Sequence, residues 1–384
     1  MQESFTRTIH FDPAGDFAAF LKMAPAKWAV YLLADADDRP VQLICVKNLR
    51  YSLERRLGVD ESHAAPGKRV NYRELVRRIH FRRVDSAFES DLIYLEAARR
   101  FFPDSYSKMA GFRPAWFIHV DSEAKFPRYV KTTELTNPRG VFFGPLEEKQ
   151  IAAKLIEQIE DWFDLCRYHH ILTDAPLGRA CAYKEMGKCP APCDGSISME
   201  NYREMIRWSL RTMIDPSEML RSQNKRMTEA AAELRFEIAS KIKTFIDQLS
   251  QLGKGPYRHL HRLEEFSYLS LQRGPKDGLA KVFLVTPSDV REIAGLIADP
   301  TRPGEILRLA LELSEEPRPA DGASHERIGV VSHHLFSPKH AQGVFLHLAS
   351  IDEKSVVKAY RDLLKQKPVE DAIGEGVTKE LQET

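Results

Sequence analysis

The stretch from Trp28 to Leu57, WAVYLLADADDRPVQLICVKNLRYSLERRL, decides how the N-terminal part is read. WAVYLL (28–33) and VQLICV (41–46) are apolar, β-prone runs, and the ADADDRP between them supplies the Asp and Pro residues that favour a turn, so the pair predicts a β-hairpin. Asn48 then offers a side-chain oxygen to the start of a helix. Further along, IHFRRV (79–84) predicts a third strand, and Ser86 is placed to cap a helix over FESDLIYLEAARRFF that stops at Pro103.

Beyond this unit, residues 114–145 alternate short apolar strands with turn residues, and EEKQIAAKLIEQIEDWFDLCRY has helical periodicity. Ser198 to about Leu252 is helical again, and GKGP (253–256) marks an interdomain break. The remainder predicts a separate α/β module with strand-like FSYLSLQ, AKVFLV, RIGVV and GVFLHLA and helical EILRLALELS and SVVKAYRDLLKQ. The fold class is therefore α/β in the α+β sense, with domains at 1–110, 111–200, 201–252 and 253–384. A chain of 384 residues exceeds what one core organises, and 43% hydrophobic and 29% charged residues with a net charge of +1 fit an ordinary globular protein. No apolar run is long enough to span a bilayer, and MQESFTRTIHFDPAGDF lacks the features of a secretory signal, so a cytoplasmic protein without a membrane partner is expected.

Four of the five cysteines, Cys166, Cys181, Cys189 and Cys193, lie within 28 residues of one another, spaced C-x14-C-x7-C-x3-C. In a reducing compartment such a group reads as thiolate ligands, because a soft metal stabilises the deprotonated sulfur. Thiolates serve both tetrahedral zinc and iron–sulfur clusters, so residue type leaves both open; structural zinc usually draws on two short Cys pairs, and here only Cys189 and Cys193 are close.

The segment R-x-C-A-Y-K-E-M-G-K-C-P-A-P-C-D-G (179–195) resembles the four-cysteine segment of the UvrC family, and Phe126-Pro127-Arg128 and Arg139–Pro145 resemble the stretch leading into it. The resemblance implies that the four cysteines hold a four-iron four-sulfur cluster. It covers about residues 20–252 and places this chain beside DNA-repair proteins of the nucleotide excision type.

Residues 227–249, MTEAAAELRFEIASKIKTFIDQL, put Met227, Ala231, Leu234, Ile238, Ile242, Phe245 and Leu249 at helical spacing, which alone predicts an amphipathic helix pair. The identities are similar to the UVR motif, which implies contact with a matching hairpin of a UvrB-type partner through Met227, Ala231, Leu234, Phe236, Glu237, Ile246 and Leu249. Ser240 and Thr244 depart from that motif.

The N-terminal hairpin resembles the GIY-YIG nuclease core, with Ala29-Val30-Tyr31 in the first strand and Val46–Arg50 at the start of the helix. Such a nuclease needs a Tyr hydroxyl to help activate water, an Arg to stabilise charge on the phosphate and a Glu to hold a divalent metal. In this register the second Tyr falls on Gln42, the motif's Gly on Ile44, its Lys on Cys45, its Arg on Ser52 and its Glu on Tyr94. Tyr31 alone matches, so degraded nuclease chemistry is expected. The alternative is an active endonuclease making a single incision, in which Tyr31, a repositioned Arg55 or Arg56, and Glu89 or Glu96 surround one magnesium or manganese ion.

Residues 46–83 carry eleven Lys or Arg against four acids, interleaved with Tyr51, Tyr72, His80 and Phe81. That imbalance suits DNA phosphate contact through Lys47, Arg50, Arg55, Arg56, Arg77, Arg78, Arg82 and Arg83. The histidines 259, 261, 333, 334, 340 and 347 read as surface or core residues, since no Asp, Glu or Cys accompanies them at ligand spacing.

Overall fold

The structure is a computed structural model that describes residues 4–58, 71–111, 114–276, 278–297, 302–316, 318–336 and 343–365. Lys68, Arg69 and His340 of the sequence reading lie outside these. The described residues fall into two compact units, one drawn from Met1–Arg113, Tyr268–Pro319 and Ser337–Thr384, the other from Pro114–Ser267 and Ala320–Phe336.

The first unit begins with β1 (Arg7–His10), α1 (Phe17–Met23), β2 (Ala29–Ala34), β3 (Pro40–Val46), α2 (Leu49–Leu57), α3 (Tyr72–Leu75), β4 (Arg78–Arg83), α4 (Ala87–Phe101) and α5 (Tyr106–Ala110). The hairpin forms as expected, and the antiparallel sheet has the order β1-β4-β2-β3. Asn48 caps α2 by accepting from the Tyr51 N–H, and Ser86 caps α4 by accepting from Glu89. All six residues of the central strand β2 are buried, because helices cover both faces of the sheet. Ala29, Tyr31 and Leu33 point to one face, where they pack with Ile44, Ile79 and Phe81 under Phe20 of α1 and Leu49, Leu53 and Leu57 of α2. Val30 and Leu32 point to the other, where they meet Leu43 and the α4 residues Ile93, Ala97 and Ala98.

The second unit holds β5 (Trp116–Val120), β6 (Tyr129–Thr132), β7 (Val141–Leu146), α6 (Lys149–Trp162), α7 (His169–Leu172), α8 (Ala182–Glu185), α9 (Met199–Ile214), α10 (Ser217–Ala232), α11 (Phe236–Leu249) and β8 (His261–Arg262), with strand order β6-β5-β7-β8. One core joins sheet and helices: Ile118, Phe143, Leu155, Ile159, Tyr202 and Ile206 are buried together with Cys166 and Cys189.

The chain then forms β9 (Tyr268–Arg273), β10 (Ala280–Val285), β11 (Val290–Ile297) and α12 (Pro303–Glu315) of the first unit, α13 (Ser324–Phe336) of the second, and β12 (Gly343–His347) and α14 (Glu353–Lys365) of the first. The sheet order is β11-β10-β9-β12, again antiparallel. RIGVV, expected as a strand, is helical in α13. Its short apolar run has no period of its own, and burial of Ile328, Val331 and Leu335 at i, i+3 and i+7 favours the helix. The α+β class holds: helices and antiparallel sheets are segregated in both units. Among the described residues no helix is long and apolar enough to cross a membrane.

Candidate functional site

Tyr31 is fully buried on the α2 face, and its hydroxyl shares a 2.7 Å hydrogen bond with the Ser52 hydroxyl. Burial pushes the phenol above its ordinary pKa, with Ser52 and Arg56 opposing. A sealed, raised phenol is poorly suited to accept a proton from water. Arg56, one helical turn beyond Ser52, donates from Nη1 to the Gln42 Oε1 at 3.2 Å and comes near enough to act on the phenol. Gln42 and Ile44 stand across from Leu33 and Tyr31 on β3, so Tyr31, Gln42, Ile44 and Ser52 share a face.

The carboxylates expected to complete the site lie elsewhere. Helix α4 packs on the opposite face, where half-buried Tyr94 joins Val30 and Leu32. Cys45 faces this side too, its Sγ 2.7 Å from the Ser90 Oγ. Glu89 is 2% exposed, and both its oxygens accept from the Lys281 ammonium of β10, at 2.6 and 2.7 Å. Glu89 Oε2 also accepts from the Asp85 N–H, and Asp85 pairs with Lys281 at 2.7 Å. Burial alone would lower the Lys281 ammonium, but Glu89 and Asp85 together hold it above its ordinary value. Phe88, beside Glu89, meets Phe283 and Phe345 edge-on at 5.5 and 5.2 Å. Glu89 is thus bound into a structural ion pair, while Glu96 is half-buried two turns further along α4. Neither shares the face of the sheet that holds the Tyr31 phenol.

The basic residues divide by what they touch. Arg50 donates to the Ala24 carbonyl, Arg77 to the carbonyls of Arg73, Glu74 and Val76, and Arg78 pairs with Asp38 at 3.4 Å. Those four cations, Arg56 included, knit the fold. Lys47, Arg55 and Arg83 are exposed, and Arg82 is half-buried on β4.

Cys166, Cys189 and Cys193 are buried, and Cys181, at the start of α8, is half-exposed. The Cys166 thiol donates to the Tyr168 carbonyl at 3.6 Å, and its nearness to Cys189 pushes Cys166 up and Cys189 down to about 6, with Cys193 near enough to influence Cys166. Among the described residues no three His, Cys, Asp or Glu side chains adopt an arrangement that could hold a metal ion. The surrounding loop is braced from several directions. Arg167 donates to the Leu165 and Lys188 carbonyls with its guanidinium 4.4 Å over the Tyr183 ring, Lys184 bonds Asp194 and Ser196, and Gly178 N–H reaches the Cys193 carbonyl. Between the last two cysteines Ala191 sits at φ +56°, a left-handed conformation that costs a non-glycine residue about 1 kcal/mol or more.

Helices α10 and α11 form an antiparallel hairpin whose tip is exposed: Leu234 is 73% and Phe236 64% accessible, and Ala231, Glu237 and Ile238 are exposed with them. Met227 and Ile246 are half-buried. Leu249, which the UVR resemblance places in the contact set, is instead wholly buried in the core of the second unit and anchors the hairpin. Phe245 packs edge-on against Trp162, whose Nε1 donates to Gln248.

Residues 115–212 match the UvrC/Cho excinuclease middle-domain family. Over these residues the chain is similar to UvrC proteins. The UvrABC system protein C of Campylobacter jejuni subsp. doylei is 24% identical over 256 residues, 65% of this chain and 41% of the relative. That of Syntrophomonas wolfei is 31% identical over 173 residues (44% and 28%), and that of Clostridium botulinum 23% over 268 (69% and 43%). The chain thus spans between about a quarter and two-fifths of the length of these relatives. No solved structure matches it. Sequence reasoning missed Lys281, 192 residues from Glu89, because nothing local in AKVFLV announces a buried partner for a distant carboxylate.

Proposed function

We propose that this UvrC-like chain is a non-cutting protein of nucleotide excision repair, which binds DNA and docks a UvrB-type partner. The observation that carries the proposal is the bond from Tyr31 to Ser52. The one matching catalytic side chain is sealed on one face of the sheet, bonded to a hydroxyl where the nuclease resemblance calls for an Arg, with α4 and its carboxylates on the other. On this reading the chain uses no magnesium or manganese there. Arg56 supports the second reading, an active single-incision endonuclease, because its guanidinium comes back toward the phenol from one turn beyond Ser52.

Exposed Lys47, Arg55 and Arg83, with Arg82, would meet DNA phosphates, and the apolar tip at Leu234 and Phe236 would enter a partner's helical groove. We assign Cys166, Cys181, Cys189 and Cys193 to an iron–sulfur cluster. The donor set has the soft thiol chemistry such a cluster requires, although the described side chains do not converge as ligands in this structure, and zinc is the competing occupant. When bound, the cluster would serve as a structural cross-link; the chain's own contribution is the brace from Arg167 and Lys184 that holds the cysteine loop. Iron and sulfide analysis of anaerobically purified protein, with zinc measured in parallel, tests this. About four irons per chain supports it, and zinc alone contradicts it.

A further inference from the structure

Helix α14 carries two stripes on opposite sides. Val356, Ala359, Tyr360 and Leu363, at i, i+3, i+4 and i+7, are buried against the β9–β12 sheet, and the Tyr360 hydroxyl donates to the Gly278 carbonyl. Lys354, Lys358, Arg361 and Lys365, at i, i+4, i+7 and i+11, are all exposed and line an open cleft of about 520 Å³ beside Pro303. They form a ridge about 16 Å long, which spans about five base steps of a nucleic-acid strand.

Some helix cations elsewhere in the chain face carboxylates: Arg207 pairs with Glu123, Glu200 and Glu204, and Arg308 with Glu312. On α14 Glu353 and Asp362 line the same cleft but do not pair with its two central cations. Glu353 turns toward Gly304 at the start of α12, Asp362 takes Lys365 at 3.0 Å, and Lys354 lies near Asp352. Lys358 and Arg361 have no ion pair among the described residues. Unneutralised cations along the middle of a rigid ridge suit a row of phosphates.

We infer that the α14 ridge is a phosphate-binding surface for a nucleic-acid backbone, with Lys358 and Arg361 as its central contacts. The inference rests on the DNA-binding reading above and adds a second, separate contact surface. Its contacts are to backbone phosphates, which carry no sequence information directly.

Anisotropy titration of a fluorescein-labelled random duplex with the full chain, at several salt concentrations, tests it. Lys358→Ala/Arg361→Ala weakens binding about ten-fold and lowers the salt slope by about 2, whereas Lys358→Arg/Arg361→Lys binds as wild type. Arg82→Ala/Arg83→Ala is measured alongside. If only that variant weakens binding, the α14 inference is overturned while the DNA-binding reading stands. If the wild-type chain does not bind duplex at low salt, the DNA-binding reading fails first. Displacement by polyglutamate at equal charge concentration would mark a generic anion surface and also overturn the assignment.

Discussion

The hydroxyls of Tyr31 and Ser52 are bonded to each other at 2.7 Å inside a closed face of the first sheet. An Arg at position 52 would bring a cation to the Tyr hydroxyl; Ser52 brings a small neutral partner that satisfies it, so the pair now behaves as a piece of core. Tyr31→Phe removes one partner and leaves the buried Ser52 hydroxyl unpaired, which costs about 1–2 kcal/mol. Urea denaturation reads that loss as a lower midpoint at unchanged slope.

The Lys281 ammonium is shared between Glu89 and Asp85, with Glu89 almost wholly enclosed. Lys281→Met strands a buried carboxylate and destabilises the first unit by about 3–5 kcal/mol. Adding Glu89→Gln to that variant recovers a large part of the loss. A double-mutant cycle that came out additive would show that the two side chains do not depend on each other.

The hairpin separates binding from stability. Phe236→Ala, at the exposed tip, shifts the melting temperature by no more than a surface substitution does, and it removes capture of a UvrB-type hairpin in a pull-down. Leu249→Ala opens a cavity in the core and costs about 2–5 kcal/mol. If Phe236→Ala captured the partner as well as wild type, the tip would not be the docking surface.

Glu160 makes stability depend on pH in an unusual direction. Burial, opposed by Arg167, raises its carboxyl to about 7. The unfolded chain ionises this group near the ordinary Glu value, so its contribution is fully present below that value and is lost as pH rises toward 7. Allowing for partial solvent screening, the loss is about 1–2 kcal/mol. Glu160→Gln flattens the dependence, as denaturation midpoints at pH 5 and pH 8 would reveal.

What could be read in advance was whatever local pattern determines. Strands β2 and β3, the Asn48 and Ser86 caps and the helical stretch from Ser198 to Leu252 follow from alternation, capping side chains and helical period. RIGVV failed because so short a run carries no period, and its burial in the second unit decided for a helix. The replaced nuclease positions at Gln42, Ile44 and Ser52 were visible once Tyr31 was in register. The sheet that divides Tyr31 from α4 was not, since which face a helix covers depends on packing between distant segments. Arg77 and Arg78 look like free cations in sequence; their carbonyl and carboxylate partners appear only in the fold.

Incision tests the central claim most directly. A lesion-bearing duplex is incubated with the purified chain, UvrA, UvrB and magnesium or manganese, and strand cleavage is followed on a denaturing gel. The account predicts an intact strand with wild type and with Tyr31→Phe alike. Cleavage by the wild type that Tyr31→Phe abolishes would contradict it.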